Sequence, residues 1–184
     1  MHQAQLFEHS QEISSIKKLL TEQHSRIDQS KEISSMKSQI KQLQHSNLYQ
    51  NDCRDYKILN HQTRALTYNN LLAKSCDKLL TRDWQGPGVY RFGGQFKRMA
   101  VKGEVVSTDR CGTAAPGYIN DQKAHDIKIG EVKEVQVCFF GSVLLSAKPC
   151  HWATRITIKR CPGDFFVYRL PNVPECSLGY CGAQ

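Results

Sequence analysis

Eight cysteines are the residues of this chain with the most chemistry to offer: Cys53, Cys76, Cys111, Cys138, Cys150, Cys161, Cys176 and Cys181. A thiolate can act as a nucleophile, ligate a metal or exchange into a disulfide, and spacing helps to separate these options. No C-x-x-C pair occurs, so the usual zinc-knuckle, zinc-ribbon and thioredoxin spacings are absent. An even set with wide, irregular spacing reads as a disulfide framework, with buried free thiols as the alternative. The tail YRLPNVPECSLGYCGAQ (168–184) poses the question most sharply. Cys176 and Cys181 could hold a metal, bond to each other, or tie the tail to distant segments, and spacing alone does not choose.

Other chemistry is thin. Of seven histidines, four lie in residues 1–52, and only His125 and His151 fall in the basic, strand-rich half. His151, beside Cys150 and Trp152, reads as structural rather than as a general base. There is no G-x-S-x-G, no H-E-x-x-H and no phosphate-binding glycine loop. Cys–His catalysis needs a free thiolate, which a fully paired framework does not leave. The expectation is a protein that is not an enzyme, with no cofactor and no metal site.

The framework sets an expectation about compartment. Disulfides belong to an oxidising environment, so the chain is expected outside the cell or at its surface. The start, MHQAQLFEHSQEISS, lacks a basic stretch followed by an apolar run, which leads to the expectation that the natural N-terminus is incomplete here. No run of apolar residues is long enough to span a membrane.

The net charge is +8 and is unevenly placed. Residues 1–52 hold 6 Lys/Arg and 6 Asp/Glu, whereas residues 53–184 hold 19 and 11. That excess could attract a heparan-like polysaccharide or another polyanion. The basic residues are scattered, as at Lys97-Arg98 and Lys159-Arg160, and form no run of five. A solvated surface is the reading, with no nucleic-acid partner.

The elements that must position these residues divide in two. No glycine or proline precedes Gly86, so the first part can be helical, whereas the rest is punctuated every few residues. Leu6, Ile13, Leu20 and Ile27 recur every seven residues, with Ile16 at the partner position. The phase then slips: Ile33 and Ile40 form one seven-spaced pair, Met36 and Leu43 another, and the step from Ile27 to Ile33 is six. The segment also repeats itself, QEISSIK at 11–17 and KEISSMK at 31–37. Residues 1–52 are thus expected to form a coiled-coil-like stalk about 60 Å long, suited to self-association, or a partly disordered linker.

Residues 53–85 show no period and read as a loop entry with one short helix around residues 64–72. Beyond Gly86 the period is two. VYRFGGQF is a strand ended by Gly93-Gly94. IKIGEVKEVQVCFF (127–140) alternates through Ile129, Val132, Val135 and Val137, with a slip near Gly130 that suggests a bulge. TRITIKRC alternates through Ile156 and Ile158, and DFFVYRL is a β-branched, aromatic run stopped by Pro171. In CGTAAPGY (111–118), Pro116-Gly117 carries a type II turn signature that places Tyr118 at the start of a new element. The fold class is mostly β: a small, disulfide-stapled antiparallel domain over 53–184, preceded by the helix.

The order of these motifs is specific. C-D-x-L at Cys76, YRFGG, Met99, CGTAAPGY and G-x-V…V-C form one half; C-H-W at Cys150, I-x-I-x-x-C, F-x-V-Y-x-L and P-x-C-x-L-x-Y-C form the other. This string resembles the cysteine-rich domain of uromodulin and of the pancreatic zymogen-granule membrane glycoprotein, over roughly residues 53–181. The uromodulin version has ten cysteines, and the two without a counterpart here bond to each other in that family, so their loss leaves no orphan thiol. The resemblance implies the pairs Cys53–Cys161, Cys76–Cys176, Cys111–Cys181 and Cys138–Cys150. It also marks Val89 and Tyr118 as core anchors; Tyr90, Phe92, Phe166 and Tyr168 read as core rather than site.

In those relatives the domain displays an N-linked glycan captured by bacterial lectins, but no asparagine here stands in an N-x-[ST] context, and Asn51-Asp52-Cys53 is only an inefficient acceptor. The implied function is a non-catalytic extracellular recognition or interaction module, of unknown ligand, carried on an oligomerising helix. A structural matrix or mucus component, or a polyanion-binding surface, is the alternative.

Overall fold

The computed structural model describes residues 2–69, 74–143 and 146–184. The stretch free of glycine and proline opens as one helix, α1 (His2–Leu48). Between residues 13 and 40 every side chain on it is exposed, including Ile13, Ile16, Leu20, Ile27, Ile33, Met36 and Ile40. The chain divides into two units, Met1–Gln50 and Asn51–Gln184.

The second unit is built on β1 (Lys57–Leu59), β2 (Gly88–Phe92), β3 (Arg98–Met99), β4 (Ala115–Ile119), β5 (Val132–Val143), β6 (Ser146–Cys161), β7 (Phe165–Leu170), β8 (Leu178–Tyr180) and β9 (Gly182–Ala183). Seven strands form one sheet in the order β1-β2-β7-β6-β5-β4-β8, and β3 pairs with β9 separately. The long β5–β6 hairpin supplies the middle of the sheet, with Val135 opposite Ile156 and Val137 opposite Thr154. Pairing is mainly antiparallel; the two outer pairs, β1 with β2 and β4 with β8, are parallel.

Alternation decides the core. Val135, Val137, Phe139, Ile156, Ile158, Tyr168 and Tyr90 share one buried cluster, closed over by Met99 of β3 and by Trp84, Phe96 and Val173 from connecting segments. A smaller cluster gathers Tyr118, Phe140, Cys111, Cys138 and Cys181. Tyr90, Phe92, Tyr118 and Tyr168 are buried, and Phe166 packs against the larger cluster while partly exposed; Val89 is no core anchor, because alternation puts it half-buried on the opposite face.

Four local expectations are corrected. Pro116-Gly117 is not a turn: both residues lie inside β4. Gly117 is needed there for close approach, because a Cβ would stand 2.6 Å from Phe139 Cε1 and 3.0 Å from the Gly179 carbonyl oxygen. The chain bends upstream instead, where Asp109, Cys111 and Gly112 all take positive φ. The register shift in the hairpin lies between Phe139 and Gly141, not at Gly130. Gly130 (φ +84°) precedes β5, and it is Ile127, not Ile129, that is buried.

The helix expected over 64–72 is a single 3₁₀ turn, Gln62–Arg64, which ends as Ala65 becomes extended. Arg64 is drawn into the interior and Ala65 bridges to Gly182, so the helix does not continue; residues 70–72 of that expectation lie outside the described residues. Residues 53–85 also hold a strand that periodicity did not reveal, since β1 is three residues long.

Candidate functional site

Six of the eight cysteines are bonded in the structure: Cys53–Cys161, Cys111–Cys181 and Cys138–Cys150. Each closes a different gap. Cys53–Cys161 fastens the segment before β1 to the end of β6, and Cys138–Cys150 crosses the β5–β6 hairpin. Cys111–Cys181 is fully buried and ties the positive-φ bend to the link between β8 and β9. Cys76 and Cys176 are unbonded, with their sulfurs 2.6 Å apart. Cys176 and Cys181 therefore face different partners.

Beneath this frame lies a charge cluster that sequence reading missed. Arg64 is fully buried, and its guanidinium donates from Nη1 to Asp77 Oδ2 (2.7 Å), from Nη2 to Asp77 Oδ1 (2.9 Å) and from Nε to Asp83 Oδ1 (2.7 Å). Nη1 also reaches the Tyr180 carbonyl at 3.0 Å. Asp77, itself fully buried, accepts the Tyr180 N–H at 2.8 Å, and Asp83 accepts the His61 N–H at 2.8 Å. Burial alone would push the Arg64 pKa down; Asp77 and Asp83 more than offset it and hold it above the usual arginine value.

Arg82 is the weaker partner. Nη1 donates to Thr63 and to the Cys111 carbonyl, while Nε and Nη2 are buried without a hydrogen-bond partner among the described residues. Nη2 stands 3.5 Å from Asp77 Oδ1, close enough for charge attraction and outside hydrogen-bond geometry. Burial, then the neighbouring Arg64, lowers its pKa. The cluster joins the 3₁₀ turn, the segment before β2 and β8, so it orders loops that have little regular structure. Its residues could not be singled out by spacing, because Arg64 and Asp77 are 13 residues apart.

His125 is also a framework residue. Met99 N–H donates to the Tyr168 hydroxyl oxygen (3.1 Å), and that hydroxyl lies 2.8 Å from His125 Nε2. With the imidazole neutral, Tyr168 donates to it and the chain of bonds is satisfied. Burial, helped by the nearby Arg98, depresses the His125 pKa to about 4. His151 stands exposed, edge-on to Trp152 at 4.1 Å between ring centroids. Among the described residues no three His, Cys, Asp or Glu side chains group as metal ligands.

The second face of the sheet lies away from the larger core. By alternation it carries Glu134 and Gln136 of β5, Arg155, Thr157 and Lys159 of β6, Arg169 of β7, and Val89 and Arg91 of β2. One end is covered by the segment that Cys53 fastens: Asp52 accepts two bonds from Arg169 (2.7 and 2.8 Å), and Arg91 lies 4.1 Å over the Phe165 ring. Beside it is a shallow cavity of about 300 Å³ lined by Gly88, Val89, Arg155, Arg169, Leu170 and Pro171. Arg155, 81% exposed, reaches Glu134 at 2.6 Å. An apolar floor beside the exposed Arg155, with Arg169 already held by Asp52, suits a group that brings a negative charge and some apolar surface.

A family model described as a uromodulin-like domain matches residues 90–182. The chain is 35% identical over 133 residues to uromodulin of Mus musculus, which covers 72% of this chain and 18% of that protein. It is 31% identical over 129 residues to the pancreatic secretory granule membrane major glycoprotein GP2 of Homo sapiens, covering 70% and 21% respectively. The chain thus spans about a fifth of the length of these curated relatives.

Proposed function

The chain belongs to the uromodulin-like domain family, an extracellular one, and on that premise we propose that residues 53–184 are a non-catalytic recognition module borne on an oligomerising helix. One observation carries the reading. The strongest chemical groups of the module — the paired cysteines and the Arg64–Asp77–Asp83 cluster — are engaged within the fold, whereas Arg155 on the second face of the sheet is open to solvent. Groups spent on rigidity position a surface; they do not turn over a substrate.

The framework is completed, in this proposal, by a fourth bond between Cys76 and Cys176. Their sulfurs already lie inside van der Waals contact. The partner is an extracellular protein or glycan that offers an anionic group to the exposed Arg155, beside Arg169, which Asp52 already holds. The test is binding of the unreduced chain to arrayed extracellular matrix proteins and sialylated or sulfated glycans at physiological salt, with Arg155→Glu as control. Signal lost in the variant supports the site. Signal that the variant retains removes it.

Polyanion binding is the second reading, favoured by the excess of 19 Lys/Arg over 11 Asp/Glu in residues 53–184. It predicts elution from heparin well above physiological salt, with steep salt dependence. The helix's exposed Ile13, Ile16, Leu20, Ile27, Ile33, Met36 and Ile40 support self-association, because a lone helix gains nothing from apolar residues in water.

A further inference from the structure

The exposed apolar residues of α1 do not form one stripe. At about 100° per residue, Ile13, Ile16, Leu20 and Ile27 fall within an arc of about 60°, and Leu19 stands about 60° outside it. Ile33, Met36 and Ile40 fall within another arc of about 60°, whose centre lies about 160° from the first. The cause is the six-residue step from Ile27 to Ile33. A continuous seam would need the helix to rotate by more than a quarter turn within a single heptad, far beyond the gradual drift that supercoiling absorbs. A partner seated on one arc therefore leaves the other in water.

Building on the oligomerising-helix reading, we propose that α1 is a two-sided connector: each copy takes a second copy on its residue 13–27 face and a third on its residue 33–40 face, parallel and offset by twenty residues. The repeat QEISSIK…KEISSMK sets the offset. Shifting one helix by twenty residues places Ile13 level with Ile33, Ile16 with Met36 and Leu20 with Ile40, giving three apolar layers in succession. Charge complements the register. In a parallel pair a residue preceding an a position faces the residue five further along the partner, which sets Glu32 against Lys17 of the second copy. Antiparallel docking of the same two faces would set Lys17 against Lys37 of the second copy.

The offset also gives room. Twenty residues advance about 30 Å along the axis. Each helix is followed by the unit Asn51–Gln184, whose size corresponds to a diameter of roughly 35 Å. Helices packed flush lie only about 8–10 Å apart, whereas the offset moves successive units about 30 Å along the axis, which reduces their crowding without removing it. Because unlike faces meet, the contact does not close on itself and the assembly is open-ended.

The experiment uses the unreduced full chain in sedimentation velocity. The wild-type chain should grow with concentration beyond dimer. Two variants each block one face at exposed positions: Ile16→Glu with Leu20→Glu, and Met36→Glu with Ile40→Glu. Each alone should sediment as monomer, and their equimolar mixture should double in mass to a 1:1 heterodimer through the faces left intact. An unchanged melting transition of the sheet unit verifies that the variants are folded. If each variant forms its own dimer and mixing adds nothing, like faces meet and the offset connector is wrong, although self-association survives. A wild-type chain that stays monomeric at high concentration removes the oligomerising-helix reading and this inference together.

Discussion

Replacing Asp77 by asparagine is the sharpest probe of what holds the sheet unit together. Asp77→Asn keeps the shape and removes one negative charge from a site with no exposed surface. Among the described residues Arg64 then keeps only Asp83 as a charged partner, and Arg82 loses the carboxylate 3.5 Å from its Nη2. Breaking a buried ion pair by removing one member costs about 3–5 kcal/mol, because the remaining charge stays desolvated. For a unit of this size each kcal/mol shifts the melting temperature by about 3–5 °C, so a drop of roughly 10–20 °C is expected. Trp84, buried and stacked on Tyr90 at 4.8 Å, gives a fluorescence signal for guanidinium unfolding of the oxidised protein. Arg155→Ala is the control: it deletes an exposed ion pair and should change stability by no more than about 0.5 kcal/mol. If Asp77→Asn melts within about 2 °C of the wild-type chain, the cluster does not organise the loops and the reasoning fails.

Three further outcomes follow from the same structure. The His125 pKa of about 4 lies below its ordinary 6.5, so the unfolded chain binds the extra proton and stability should fall as pH drops from 6.5 toward 4. The loss approaches about 3 kcal/mol, read as melting temperature against pH, and His125→Gln should flatten that window. Gly117→Ala forces a methyl against the Phe139 ring and should cost about 1–3 kcal/mol in chemical denaturation. Reducing the three disulfides releases closed loops of 108, 70 and 12 residues. In the chain-entropy model these contribute about 5, 4 and 3 kcal/mol, so dithiothreitol should abolish the cooperative transition of the sheet unit, and an unchanged midpoint would show that the staples are dispensable.

How much of this was legible beforehand depended on whether a residue's role repeats along the chain. Strands β2, β5, β6 and β7 were, because Val135, Val137, Ile156 and Ile158 bury one face at period two. The helix was, from the absence of glycine and proline before Gly86. Pro116-Gly117 misled because one dipeptide serves two purposes: a turn, or a bare backbone against which Phe139 packs. The parallel outer pairs and the three-residue β1 were out of reach, since such short strands have no period to read. Within the candidate site the cysteines announced themselves by number and by the motifs around them. Arg64, Asp77 and Asp83 did not, because charged residues in loops usually face water and nothing in their spacing marks these three as buried. The pair Arg155 and Arg169 gave no signal either: they sit on β6 and β7, and only strand pairing brings them to one cavity.

Thiol counting on protein never exposed to reductant tests the central claim most directly. The chain is denatured, treated with iodoacetamide and weighed by mass spectrometry before and after reduction. A fully stapled extracellular module takes up no label before reduction and eight afterwards. Label at Cys76 and Cys176 alone would contradict the fourth bond, and label at any of the other six cysteines would contradict the framework itself.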